Sequence, residues 1–140
     1  MSGVLVDTDV LVVACRAGRG DPRADKAKAV LENLARLGNG FVGVQNLAEF
    51  SRVVLDQPAK PVPPSKVREA LACFESVFGV LAPTDRTLDQ ALHGVEKHGL
   101  AFWDSMLWAL AHENGLEEVL TEVLPPRPLI EVVRYRNPLA

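Results

Sequence analysis

Several acids in this chain stand where an acid is costly. The stretch LVDTDVLV (residues 5–12) sets Asp7 and Asp9 inside an otherwise apolar run. A buried carboxylate costs several kcal/mol, roughly, unless it is paired or bound to a cation. Glu49 lies among Leu47, Ala48 and Phe50, Asp104 directly follows Phe102-Trp103, and Glu122 follows Val119-Leu120-Thr121. Singly, each has an ordinary reading: Asp7 marks the end of a strand, Glu49 is a solvated helix residue, Asp104 a first-turn dipole partner and Glu122 a loop acid. Brought to one place they would repel, and would hold a proton unless a cation neutralised them. Hard oxygen donors select Mg²⁺ or Mn²⁺ over zinc. His93, His98 and His112 fall on polar helix faces or ends without a metal-binding spacing, and read as surface residues.

Positioning these acids is the task of the elements between them. Gly3–Val6 is short and Val-rich, as in a parallel strand buried on both faces. Val10–Ala14 opens a helix. Asp21-Pro22 begins another, with Ala27, Val30, Leu31 and Leu34 at helical spacing, and Gly38 closes it. Phe41–Val44 reads as a strand, followed by a helix with Leu47, Phe50, Val53 and Val54 on one face. Pro58–Pro64 is a connector rather than a domain boundary. Ser65 is the expected cap of a helix whose stripe is Val67, Ala70, Leu71, Phe74, Val77 and Phe78. Val80–Ala82 is a short strand, and Thr84 or Asp85 caps a helix bearing Leu88, Ala91, Leu92 and Val95 that stops at Gly99. Ala101–His112 is apolar nearly all round, so burial is expected. Val119–Thr121 and Leu129–Val133 are the expected last strands. Alternating strands and helices predict a single α/β domain over residues 1–140, its parallel sheet covered on both faces. Open sheets of this kind build their sites at the carboxyl ends of the strands, where Asp7 falls.

The balance of charge narrows the partners. The 140 residues carry a formal net charge of −3, so bulk charge does not favour a polyanion, which would have to be held by a local basic patch or by metal ions. Arg16, Arg19, Arg23, Lys26 and Lys28 form one such cluster, and Arg134 and Arg136 a weaker one. The two cysteines, Cys15 and Cys73, read as reduced core residues of a cytoplasmic protein. No signal peptide and no membrane span are expected.

VLVDTDVLV, VQNLAEF, LAFWDSMLWALAHENG, LTEVL and RNP, in that order and spacing, resemble PIN domains, and within them the VapC-like toxins of bacterial toxin–antitoxin pairs. The resemblance implies a three-layer fold with a central, mostly parallel sheet flanked by helices. It implies a metal-dependent endoribonuclease in which Asp7, Glu49 and Asp104 are the catalytic acids and hold Mg²⁺ or Mn²⁺. It also implies an RNA substrate, a cognate antitoxin, a homodimer and a cytoplasmic location. Thr8 matches the small hydroxyl residue beside the first acid. Asp9 stands where Asn is usual, and Val123 where a fourth acid generally stands. Glu122, adjacent, would point elsewhere in a regular strand. Thr8, Asp9, Thr121 and Glu122 are the accessory candidates, with Asp9 or Glu122 able to replace the missing acid. Arg16, Arg19 and Arg23 are the RNA-binding candidates. Trp103 could stack on a base but reads better as core. Two rivals stand beside this: a PIN fold with weakened cleavage that acts by antitoxin or RNA binding, and a haloacid-dehalogenase-like phosphotransferase with Asp7 as nucleophile, for which the later Lys and paired-Asp motifs are missing.

Overall fold

The computed structural model describes residues 2–140. In β1 (Val4–Val6) the alternation of side chains divides the core. Val4 and Val6 face one layer, with Val10, Leu11, Ala24, Leu31, Leu47, Phe50 and Val67. Leu5 faces the other, with Ala91, Trp108, Ala109, Val119, Val133 and Tyr135. The first layer is α1 (Thr8–Ala14), α2 (Pro22–Leu37), α3 (Val44–Leu55) and α4 (Pro64–Val77). The second is α5 (Asp85–His98) and α6 (Phe102–Glu113). Between them lies one sheet of β1, β2 (Gly40–Gly43), β3 (Gly79–Leu81), β4 (Glu118–Leu120), β5 (Leu129–Ile130) and β6 (Val133–Arg136), in the order β3-β2-β1-β4-β6-β5. Every pairing is parallel except β5 with β6. The three-layer α/β expectation therefore holds.

The helix ends follow the caps that the residues offer. Asp7 caps α1 through the Thr8 N–H at 2.7 Å. Asp21 caps α2 through the Arg23 N–H, and Gly38 ends it at φ 72. Thr84 caps α5 through the Arg86 N–H.

Several expectations change. Ser65 does not cap α4: Pro63 holds that position and Pro64 is the first helical residue, its fixed φ suiting a helix start. Leu129–Val133 is two antiparallel strands, because Glu131 turns the chain at φ 55. Cys15 and Cys73 are exposed, not core. Val13 and Phe74 pack into the first layer, but Cys15 falls just beyond α1 and Cys73 on an exposed stretch of α4. The first turn of α6 is open, with Trp103 63% exposed, and burial begins at Ser105. On α5, Ala91 is buried while Leu88, Leu92 and Val95 are exposed, so the apolar stripe is only partly covered by this chain.

Candidate active site

β1 and β4 run side by side with Val6 opposite Leu120, so their carboxyl ends deliver Asp7 and Thr121 to one place. The Asp7 N–H still donates to the Leu120 carbonyl at 2.9 Å, which fixes its backbone. One carboxylate oxygen of Asp7, Oδ1, accepts from the Thr8 N–H at 2.7 Å and from Asn46 Nδ2 at 3.3 Å. The other, Oδ2, faces the Thr121 hydroxyl at 3.0 Å, and Asp9 Oδ2 faces the same hydroxyl at 3.2 Å. One hydroxyl proton thus serves two carboxylates. Asp9 also accepts from the Glu122 N–H at 2.9 Å.

Burial raises the Asp7 carboxyl, and the charges of Asp9 and Asp104 raise it further, against the Thr8 and Thr121 hydrogen bonds, up to about 6. Tyr135, on β6, is pushed up in the same way, chiefly by burial and then by Asp104 and Asp7. This corner carries more negative charge than its own hydrogen bonds neutralise.

A cleft beside Asp7 is lined by Asp9, Glu49, Asp104, Glu122, Arg16, Arg23 and Trp103. It joins all the acids singled out in the sequence. They differ in setting. Asp104 is exposed at the start of α6. The Glu49 side chain is half exposed and lies 3.5 Å from Arg52. Glu122 turns into the cleft because β4 stops at Leu120, so the regular-strand geometry that would have sent it elsewhere does not apply. There it pairs with Arg23 at 2.6 Å. Val123 is 78% exposed and lines an adjoining apolar hollow with Asp7, Asp104, Thr121 and Tyr135. Of the basic candidates, Arg16 and Arg23 reach the cleft lining and Arg19 does not.

Asn46 was missed in the sequence. It is buried, its Oδ1 accepts the Gly43 N–H at 3.0 Å and starts α3, and its Nδ2 reaches both Asp7 and Thr8 Oγ1, each at 3.3 Å. One side chain thus locks the helix carrying Glu49 to the strand end carrying Asp7. The readable signal was an amide three residues before Glu49, on the same helix face.

The family model described as "PIN domain" matches residues 4–122. The chain belongs to the PIN domain family. A sequence search of curated proteins gives no match. Solved structures resemble this PIN domain at low identity and over most of its length. A toxin–antitoxin complex from Klebsiella pneumoniae has a TM-score of 0.66 at 16% identity, covering 97% of this chain and 98% of that one. The VapBC complex from Rickettsia felis, bound to a DNA fragment from its promoter, has a TM-score of 0.66 at 17% identity, covering 96% and 97%. A sarcin–ricin-loop-cleaving VapC toxin from Mycobacterium tuberculosis has a TM-score of 0.61 at 19% identity, covering 84% and 87%. At these identities the likeness is one of fold. Among the described residues no helix is long and apolar enough to cross a membrane.

Proposed function

We propose that this PIN domain is a divalent-metal-dependent endoribonuclease, the toxin of a type II toxin–antitoxin pair acting in the cytoplasm. The observation that carries this reading is Asp7: a half-buried carboxyl raised to about 6, at a strand end, heading a cleft lined by further acids. An all-oxygen donor set with surplus negative charge fits Mg²⁺ or Mn²⁺. Asp7, Glu49 and Asp104 would hold the ion, with Asp9 and Glu122 in reserve. When bound, such an ion polarises the phosphodiester and lowers the pKa of the attacking water.

The chain's own groups do the rest. Thr121, Asn46 and the Thr8 N–H hold the Asp7 carboxylate in one orientation. Arg16 and Arg23 would meet phosphates along the cleft wall, and the exposed Trp103 offers a ring face to an unstacked base. The deciding experiment is cleavage of total RNA by the purified, partner-free protein. Cleavage is expected with Mg²⁺ or Mn²⁺ and none in EDTA; no cleavage under any metal condition would refute the enzyme.

A second reading is favoured by Val123 together with the Arg23–Glu122 pair, which engages Glu122 and leaves Asp9 to stand in for the usual fourth acid. In it the protein cleaves weakly and acts by binding antitoxin or RNA. Val123→Asp separates the two. It should raise cleavage about tenfold, the equivalent of ~1.4 kcal/mol in the barrier, and lower the metal concentration needed. Glu122→Gln should then matter little. If Val123→Asp changes nothing and Glu122→Gln abolishes cleavage, Glu122 is the fourth acid.

The partners follow from the same reading. An antitoxin would place a cationic side chain in the acid cleft; the neighbours from Klebsiella and Rickettsia are themselves toxin–antitoxin assemblies. A homodimer would cover Leu88, Leu92 and Val95, which are exposed at 43%, 52% and 36% on α5. We expect sedimentation at micromolar concentration to give twice the chain mass, and Leu92→Asp to halve it. A parent that is already monomeric would end the dimer proposal.

A further inference from the structure

Away from the acid cleft, α5, α6 and the β5–β6 turn meet in a second polar cluster. His93 and His98 lie on α5 and His112 on α6. Glu131 Oε2 stands 2.7 Å from His98 Nε2 and 3.6 Å from His93 Nε2, while its Oε1 faces His112 Nε2 at 3.3 Å. The sequence reads these histidines as surface residues; they keep some exposure, but Glu131 brings them to one place. One ligand atom from each of His93, His98 and Glu131 lies within 4.8 Å of the other two.

Two further observations show that the cluster is held in place. All three imidazoles pack around the ring of Trp108, with centroids 6.4, 5.5 and 5.2 Å away for His93, His98 and His112. Trp108 is fully buried, and its indole N–H donates to the carbonyl of Ile130, the residue before Glu131. Glu131 itself has φ 55 and is the one non-glycine residue with positive φ among the described residues. Glycine would take that conformation freely, yet the chain has a carboxylate there. His98 Nε2 lies within hydrogen-bonding distance of that carboxylate, at 2.7 Å.

We propose that His93, His98 and Glu131 bind a borderline divalent transition metal, Zn²⁺ by preference, with His112 positioning Glu131 through its second oxygen. Imidazole and carboxylate are the donors that suit zinc, whereas the acid cleft offers oxygen alone. Ligands about 2.0–2.1 Å from a tetrahedral zinc stand roughly 3.3 Å from one another. The nitrogen–oxygen separations of 2.7 and 3.6 Å bracket that value, so small side-chain rotations suffice. The fourth position is left to water. A ligating carboxylate is ordinarily held by an outer partner, and His112 Nε2, 3.3 Å from Oε1, stands where one is needed. The metal ties the β5–β6 turn to α5 across 33 residues of sequence. His98 and Ile130 also line the hollow that contains Asp7 and Asp104, so the tie braces that wall. The proposal is independent of the ribonuclease reading.

The test is calorimetric titration of the EDTA-stripped full chain with Zn²⁺, in millimolar Mg²⁺ to occupy the acid cleft, together with the visible absorption of Co²⁺ in the same site. One Zn²⁺ per chain is expected, with a tetrahedral Co²⁺ spectrum and a raised Tm. Asp7→Asn should bind zinc as the parent does. Glu131→Gly and His98→Gln should each weaken binding about 100-fold, and His112→Gln about tenfold, on the scale of metal-site losses. Glu131→Gly suits the backbone at this turn, so its Tm in EDTA should not fall below the parent's. Absence of zinc binding, or zinc affinity unchanged in Glu131→Gly and His98→Gln, would overturn the site and leave a set of histidine–glutamate ion pairs.

Discussion

Asp7→Asn should abolish RNA cleavage and, in the same molecule, raise stability above pH 6. The amide keeps the shape and keeps an oxygen for the Thr8 N–H and Asn46 Nδ2, but it removes a charged ligand from the acid cleft. On the proposed mechanism, cleavage should fall at least 100-fold, about 2.7 kcal/mol in the barrier. The stability effect has the opposite sign. Burial and then Asp9 and Asp104 raise the carboxyl from its ordinary 3.8 to about 6, so the folded state favours the protonated form. The group costs little below about pH 3.8, destabilises progressively between there and about pH 6, and carries its full penalty above that. The full penalty is on the order of 2–3 kcal/mol. Melts in EDTA should therefore show Asp7→Asn well above the parent at pH 7.5 and close to it at about pH 3. A Tm difference that does not vary with pH would refute the electrostatic account, and undiminished cleavage would refute the site.

That site was partly legible because the carboxylates break apolar patterns. Asp7 within VLVDTDVLV and Glu49 within NLAEF announce themselves by local contrast. Caps at Asp21, Gly38 and Thr84 were equally local and came out as expected. What stayed hidden depends on distant partners. Asn46 looks like a turn residue until Asp7 arrives from 39 residues away. The histidines share no readable spacing, because Glu131 gathers them from two helices. Leu129–Val133 reads as one strand, since nothing in LIEVV marks a left-handed turn at a glutamate. Trp103 looked like core by its neighbours, yet the first turn of α6 projects past the sheet.

Gly94→Ala should be the most damaging single-methyl change in the fold. In an open helix the substitution gains about 1 kcal/mol of helix propensity. Here the added carbon would meet Trp108 Cε3 and Cζ3 at 2.9 Å and come closer still to Ser105 Oγ. Ser105 is fully buried and donates to the Ala91 carbonyl at 2.6 Å, so it has nowhere to retreat without losing that bond. Overpacking costs typically 1–3 kcal/mol, and the buried Ser105 hydroxyl left unpaired costs about as much again. The net loss of about 2–3 kcal/mol corresponds to roughly 8–12 °C in Tm for a chain of this size. Thermal unfolding in EDTA measures it. Adding Ser105→Ala should recover part of the loss by vacating the hydroxyl's space. A Gly94→Ala protein more stable than the parent would mean that α5 and α6 are not in close contact.

The order of the sheet has a consequence for synthesis. β1 is made well before its neighbour β4, and the Thr121 hydroxyl facing Asp7 lies 114 residues further along the chain. Contacts so distant in sequence close late, after the intervening loop entropy has been met. A growing chain in which Thr121 has not yet emerged therefore carries Asp7 without its β4 partner. On the proposed function, the polypeptide is harmless to the message that encodes it until Thr121 has emerged and met Asp7. An inhibitor that recognises the assembled cleft meets its target only once β4 has joined β1.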